Sequence, residues 1–310
     1  MGHKIKAQYR RENPPAGLAA LEDENVKLVR TDLSDKGPLE SLVEDVDTVI
    51  HIAGLAGDWG PYLDYYQANV LATSNLVKES KRAGVGKFIC ISSISVHGFG
   101  DLLNADEKGP YYKLISNYQR TKKEAEELAL AENSDHFKVC VIRPGNVYGP
   151  DDHTMIFNIF GEIAKGWIYY ISGGKPLTCP LYVTDLVEAI RLACESPESS
   201  GQIYNITGGE HVSWKEYFFR CAECLGVKAK VLNFPYPAAL AVAALFEGFY
   251  KLFRIKNRPL ITKYLVEQTS HNYNFSIQKA VDQLGYQPKM DYIRGIELAA
   301  ESYLQSKIKK

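Results

Sequence analysis

Tyr118-Gln119-Arg120-Thr121-Lys122 sets a phenol and an ammonium four residues apart, on one face if the segment is helical. Such a pair alone is weak, because solvated helix faces carry it often. Its chemistry is nonetheless specific. A free phenol titrates near pH 10, about three pH units too high for a base at neutrality. An adjacent ammonium favours the phenolate, and closing that gap takes roughly 4 kcal/mol of differential interaction. A hydroxyl stands nearby in sequence order: Ser92-Ser93 closes the apolar run Phe88-Ile89-Cys90-Ile91. A serine there is commonly a turn former, but it can also donate to a substrate oxygen.

These residues need a scaffold. Apolar runs at Lys4 to Tyr9, Val26 to Arg30, Thr48 to Ile52, Lys87 to Ile91 and Lys138 to Ile142 read as strands buried on both faces. Helical patterns lie between them, from about Tyr62 to Ala83, stopped by Gly84-Val85-Gly86, and from about Tyr112 to Leu130. The alternation predicts an α/β chain with a Rossmann-like, doubly wound parallel sheet. The character shifts at Pro150-Asp151-Asp152. After it, Ser213-Trp214-Lys215-Glu216 predicts a capping box opening a helix to about Leu225. A strand is expected at Gln202 to Ile206. The expected division is a dinucleotide-binding domain over 1–150, joined again by 177–207, and a smaller C-terminal substrate domain over 151–176 and 208–310.

The order strand–Ser92-Ser93, YxxxK helix, strand–Arg143-Pro144-Gly145-Asn146-Val147-Tyr148-Gly149-Pro150 resembles the extended short-chain dehydrogenases/reductases, the NAD-dependent epimerase/dehydratase superfamily. The resemblance runs from about residue 2 to residue 300. It implies a hydride moving between a nicotinamide and a carbinol carbon, with a proton moving at the oxygen. It assigns Tyr118 as acid/base, Lys122 as the group that tunes it and meets the nicotinamide ribose, and Ser93 as donor to the substrate oxygen, with Ser92 as second choice. It gives Asn69, in Gln67-Ala68-Asn69-Val70, the task of bracing the site.

The same resemblance points to cofactor contacts. Asp32-Leu33 matches the pair that meets the adenine, although Asp32 also reads as a turn or cap aspartate. Ala53-Gly54 matches the loop beside the adenine ribose and pyrophosphate, with a plain turn as the alternative. Pro144, Asn146 and Val147 would line the nicotinamide. Arg10 ends the strand at Lys4 to Tyr9, where an acidic residue would favour NAD. An arginine there accommodates a 2′-phosphate, so NADP is preferred over NAD, against a simple solvated charge.

The glycine-rich first βα unit is not in this sequence. Gly2-His3-Lys4-Ile5-Lys6-Ala7 resembles the passage into the second strand of the superfamily, and neither Gly54 to Gly60 nor Gly84 to Gly86 has the fingerprint spacing. The absent strand is central in the order 3-2-1-4-5-6. Its neighbours would keep unpaired backbone groups, which are costly when buried. The expectation is a chain continuing roughly 25 residues upstream, about one strand and one helix. A naturally degenerate relative is the alternative.

Composition narrows the partners. With 310 residues, 45% hydrophobic and 24% charged at net charge −1, the chain is an ordinary globular one, with no basic excess for nucleic acid. The basic end at Lys307, Lys309 and Lys310 reads as a solvated tail. Cys90 and Cys140 lie in apolar strands. Cys221 and Cys224 form a lone CxxC inside a helix, more simply packing than metal or redox chemistry. His51, His97, His153, His211 and His271 show no metal-ligand spacing, so no metal is expected. His51, inside a strand, reads as a satisfied core histidine. A reducing, cytoplasmic setting is expected. The apolar stretch 237–253 is short for a spanning helix. It reads as a helix on the substrate side or one that touches a membrane surface.

Ser93 is followed by Ile94-Ser95 rather than the Asp and Glu that nucleotide-sugar dehydratases place there. The C-terminal part, including Pro259-Leu260-Ile261-Thr262 and Leu284-Gly285-Tyr286-Gln287-Pro288, resembles the 3β-hydroxysteroid dehydrogenase and dihydroflavonol reductase branch. The expected function is oxidation of a secondary alcohol, or reduction of a ketone or aldehyde, on a small hydrophobic molecule. A nucleotide-sugar epimerase is the alternative, and a non-catalytic metabolite- or partner-binding relative is the alternative of another class. The resemblance also implies a homodimer through the two long helices near 62–83 and 112–130.

Overall fold

The computed structural model describes residues 2–35 and 39–308. Lys309 and Lys310 of the basic end lie outside the described residues. Strands β1 (Ile5–Tyr9) and β2 (Val26–Arg30) form one parallel pair, in register Ile5 to Val26 through Tyr9 to Arg30. A separate four-stranded parallel sheet contains β3 (Thr48–His51), β4 (Lys87–Ile91), β5 (Lys138–Pro144) and β6 (Gln202–Ile206), in the order β6-β5-β4-β3. All five strands expected of the first half are present, as is the later one.

The parallel strands and the helices between them are those of a doubly wound α/β fold, divided here between two sheets. No described strand pairs with β1 on the side away from β2, or with β3 on the side away from β4. Ile5 of β1 and Ile50 of β3 are about half exposed, and Ile52 is 65% exposed. The β1–β2 pair is anchored instead by Lys6 Nζ, which donates to the Ser41 and Glu44 carbonyls.

Alternating apolar runs make the core. Phe88, Cys90, Val139 and Val141 pack on one sheet face with Leu76 and Val77. Ile89, Ile91, Cys140 and Ile142 pack on the other with Ala189 and Tyr204. Cys90 and Cys140 are thus small core hydrophobes, as is Cys221, which is buried in an aromatic cluster with Tyr148, Phe160, Trp214 and Tyr303. The capping box at Ser213 and Glu216 forms and opens the helix Trp214–Cys224.

Two helices position the candidate site. The first, α1, runs over 62–82 and contains a π-helical turn at Tyr66–Leu71. The second, α2 (Asn117–Ala131), begins later than its composition suggests. Ser116 Oγ accepts from Gln119 N and Gln119 Oε1 accepts from Ser116 N, a capping box that stops the helix from extending back to Tyr112.

Candidate active site

The carboxyl ends of β3, β4 and β5 face the start of α2 and the π-turn of α1. Ligands of open α/β sheets bind in this crevice. A π-turn inserts one residue into a helix and re-aims side chains, and such turns concentrate at functional sites. Here it carries Asn69, which is buried. Asn69 Oδ1 accepts from Leu55 N at 2.7 Å, and its Nδ2 donates to the Leu55 carbonyl at 3.1 Å and to Thr121 Oγ1 at 3.0 Å. One side chain thereby joins the loop after β3 to the helix that carries Tyr118 and Lys122.

Gly54 lies in that loop. A Cβ built on it would meet Asn69 Oδ1 at 2.9 Å and Lys122 Nζ at 3.6 Å, so Gly54, Asn69 and Lys122 share one small space. Ala53, its neighbour, is exposed. Lys122 Nζ donates to the Ile91 carbonyl at 2.5 Å, at the end of β4. Burial pulls its ammonium below the usual lysine range, although Cys90 and Glu126 pull the other way.

Tyr118 differs from expectation in one respect. Burial raises its phenol above the usual range, and the Ser93 hydroxyl draws it partly back. Lys122 is not among the groups that shift it. The phenol is therefore protonated at neutral pH in this structure. Tyr264, partly buried beside it, has its own phenol pushed up by burial and then by Tyr118.

Ser92 and Ser93 separate cleanly. Ser92 Oγ is buried and donates to Glu126 Oε2 at 2.7 Å. It belongs to an ion-pair network and does not face the crevice. Ser93 is partly exposed, and its Oγ accepts from Ser95 N at 3.1 Å as the cap of a short helical turn. That bond uses an acceptor lone pair and leaves the hydroxyl hydrogen to donate to the Tyr118 phenol oxygen, the bond that draws that phenol back.

Pro144 is buried at the end of β5, and Val147 is partly buried. Asn146 Nδ2 donates to Thr178 Oγ1 at 2.9 Å, and its Oδ1 accepts from Gln268 at 3.2 Å, so its amide is fixed on both ends. At the other end of the crevice, Asp32 Oδ1 accepts from both the backbone and the hydroxyl of Ser34, a turn cap that lowers its carboxyl. Arg10 Nε lies 3.9 Å from Asp32 Oδ2. Leu33 is buried in the core and only its carbonyl, bonded by Asn75, is turned to a polar partner. His51 is buried and bonds Thr73 Oγ1 at 2.8 Å, and burial pushes it down to about 3, the behaviour of a core histidine.

A cleft of about 540 Å³ opens beside the start of α2, lined by Trp59, Tyr65, Ser116, Asn117, Arg120, Tyr250 and Tyr264 among others. Sequence reasoning missed Thr121, Tyr65 and Tyr264. Thr121 sits inside the YxxxK spacing and could have been read as the partner of Asn69. The two tyrosines come from distant segments with no local signal.

The model of the NAD dependent epimerase/dehydratase family matches residues 2–207, and the chain belongs to that family. Among relatives, the 2-alkyl-3-oxoalkanoate reductase of Stenotrophomonas maltophilia (strain K279a) is 26% identical, over 95% of this chain and 90% of its own. The sterol-4-alpha-carboxylate 3-dehydrogenase, decarboxylating, of Dictyostelium discoideum is 29% identical over 96% and 92%. Of solved structures, gox2253 superposes with a TM-score of 0.81 at 25% identity, covering 98% of this chain and 92% of its own. MoeE5 in complex with UDP-glucuronic acid and NAD superposes at 0.76 with 24% identity over 98% and 92%, which shows the shared fold.

Proposed function

We propose that the chain is a nicotinamide-dependent oxidoreductase that interconverts a secondary alcohol and a ketone on a small hydrophobic molecule. One observation carries this reading: Ser93, Tyr118, Lys122 and Asn69 converge at one end of the sheet, with Gly54 leaving open the space between Asn69 and Lys122. The relatives named above are by their names a ketoacid reductase and a sterol dehydrogenase, which favours a hydrophobic alcohol or ketone.

The residues fit a nicotinamide nucleotide at this end. Lys122 and Gly54 would border its ribose, and Pro144, Asn146 and Val147 its ring. Ala53, Asp32, Leu33 and Arg10 would border the adenosine half, with Arg10 favouring NADP. When bound, the cofactor gives or takes the hydride. Tyr118, protonated as it stands, gives its proton to a carbonyl oxygen or takes one back from an alcohol. Ser93 donates its hydroxyl hydrogen, turned from the Tyr118 phenol to the substrate oxygen, and stabilises developing charge there. Lys122 would orient the ribose of the bound nucleotide. Asn69 holds the 54–55 loop and α2 at a fixed spacing. The two-domain division, 1–150 with 177–207 against 151–176 with 208–310, belongs to this reading, as do a homodimer through α1 and α2 and membrane contact through 237–253. Exposed Leu63 and Tyr66 on α1 favour the dimer.

Titration with NADPH and NADH, followed by turnover with 3-hydroxy or 3-oxo acids and sterols, tests the reading. Tyr118→Phe should keep cofactor binding and lower kcat by a factor on the order of 10² to 10⁴. Full turnover by that variant would remove the proposed mechanism. Epimer formation without net cofactor consumption would favour the epimerase alternative.

A further inference from the structure

Helix α3 (Tyr236–Leu252) is apolar on both of its sides, and only one of them is covered. Ala239 and Ala243 are buried against Ile171 and Val266. Glu247 is turned inward and accepts from Lys263 N at 2.8 Å. The opposite side carries Val242, Leu245, Phe246, Phe249, Leu252 and Phe253, at helical spacings of three and four. Leu245 is 74% exposed, Leu252 76% and Phe253 61%. A soluble helix normally turns charge to water on that side, and a contiguous apolar stripe marks a docking surface.

Charge says what docks there. From Tyr236 to Lys263 the chain has five cations (Lys251, Arg254, Lys256, Arg258, Lys263) and one acid, Glu247, a net +4 within a chain of net −1. Asp58 holds Arg258 at 2.5 Å. Arg254 and Lys256 are exposed, with no carboxylate partner among the described residues. They stand at the C-terminal end of the stripe, next to Leu252 and Phe253. A second copy of the chain would bring two such cationic collars together. An anionic lipid surface takes both features at once, apolar side chains at the acyl boundary and cations at the headgroups.

We propose that the outer stripe of α3 docks on an anionic bilayer. Tyr250, Lys251, Arg254 and Lys256 also line the cleft beside the start of α2, so docking turns the mouth of that cleft to the lipid. A lipophilic substrate would enter from the membrane. The docking gives the membrane contact of the proposed function its lipid partner, and only the entry of substrate from the membrane rests on the oxidoreductase chemistry.

The test uses the full chain and vesicles of phosphatidylcholine, alone or with phosphatidylglycerol, and needs no turnover. Expected are co-sedimentation with the phosphatidylglycerol vesicles, weakening as salt rises, and slower tryptic cleavage after Arg254 and Lys256 on the unaltered chain when those vesicles are present. Arg254→Gln with Lys256→Gln should weaken binding by roughly tenfold or more. Leu245→Ser, Leu252→Ser and Phe253→Ser together, all at exposed positions, should abolish it. Absence of vesicle binding, or unchanged cleavage, would overturn the proposal. So would a concentration-dependent dimer dissolved by the three serines, which would give the face to a second copy. Vesicle binding by a chain without turnover would leave the docking standing and remove the catalytic reading.

Discussion

Arg143 and Glu126 form a two-point ion pair, Nη2 to Oε1 at 2.7 Å and Nε to Oε2 at 3.0 Å, with essentially no exposure of either side chain. Glu126 is one helical turn beyond Lys122 on α2, and Arg143 is near the end of β5. Ser92 and Lys123 also bond the carboxylate. The pair therefore clamps the α2 face that carries Lys122 to the ends of β4 and β5.

Removing one partner of a buried pair leaves the other charge unpaired. Glu126→Gln should cost about 3 kcal/mol of stability near neutrality. Burial raises the Glu126 carboxyl, but Arg143 outweighs it and the net shift is downward from 4.5. A depressed carboxyl contributes stability that is present above its unfolded pKa and lost as pH falls through the folded one. Urea denaturation should thus show a full difference between the two proteins at neutral pH and a shrinking one below about pH 4.5. A difference constant into acid would contradict the charge account.

The two neighbouring serines should behave oppositely. Ser93→Ala removes a donor that faces the crevice, and we expect kcat to fall on the order of 10²-fold with little change in melting temperature. Ser92→Ala strips one hydrogen bond from the buried carboxylate and should cost about 1 to 2 kcal/mol of stability with KM nearly unchanged. Steady-state kinetics and thermal melts on both variants check the assignment, and the reverse pattern would make Ser92 the donor.

Much of this was legible in the residues. Strands β4 and β5 announced themselves by apolar runs, because a sheet covered on both faces needs no alternation, whereas β1, β2 and β3 were expected to be covered on both faces and keep only His51 buried. The relation of Tyr118 to Lys122 followed from helical periodicity alone. The start of α2 was misplaced by composition because Ser116 and Gln119 form a cap that residue averages do not register. The π-turn at Asn69 left only a faint trace, an asparagine where helix propensity is poor. The protonated state of Tyr118 was not legible, since it follows from burial of the phenol in the folded chain. Tyr264 joined the site from a segment more than a hundred residues away, and no local pattern foretells such packing.

Gly54 should tolerate no side chain. Asn69 Oδ1, 2.9 Å from the position a Cβ would take, is held by Leu55 N and cannot retreat without breaking that bond. Gly54→Ala should therefore move the loop or Asn69 and weaken nicotinamide nucleotide binding by about tenfold, a loss near 1.4 kcal/mol. Fluorescence titration with NADPH reads it. Wild-type affinity in the variant would show that the loop lies off the cofactor path.

His97 should set part of the acid sensitivity. Its Nε2 lies 3.2 Å from Arg143 Nη1, which can only donate, so Nε2 accepts and Nδ1 carries the hydrogen given to the Pro110 carbonyl at 3.1 Å. Burial and then Arg143 push the imidazole from 6.5 down to about 4. A histidine depressed in the folded state stabilises above its unfolded pKa, and that stability is lost as pH falls from about 6.5 to about 4. The contribution is about 3 kcal/mol. His97→Gln should flatten the decline of melting temperature over that window, and an equally steep decline would place the sensitivity elsewhere.

Arg10 offers a test of cofactor preference. Asp32 does not hold it firmly: the contact is 3.9 Å long, the arginine side chain is 69% exposed, and Asp32 Oδ1 is committed to Ser34. An exposed guanidinium free to turn can pair a 2′-phosphate through two donors at once. Arg10→Gln should then raise the dissociation constant for NADPH on the order of tenfold while leaving NADH within about twofold. The effect should fade as salt rises, because the pair is screened at the surface. Parallel titrations with the two nucleotides at low and high salt decide it. Equal losses for both would mean that Arg10 only supports β1, and the preference for the phosphorylated cofactor would lose its basis.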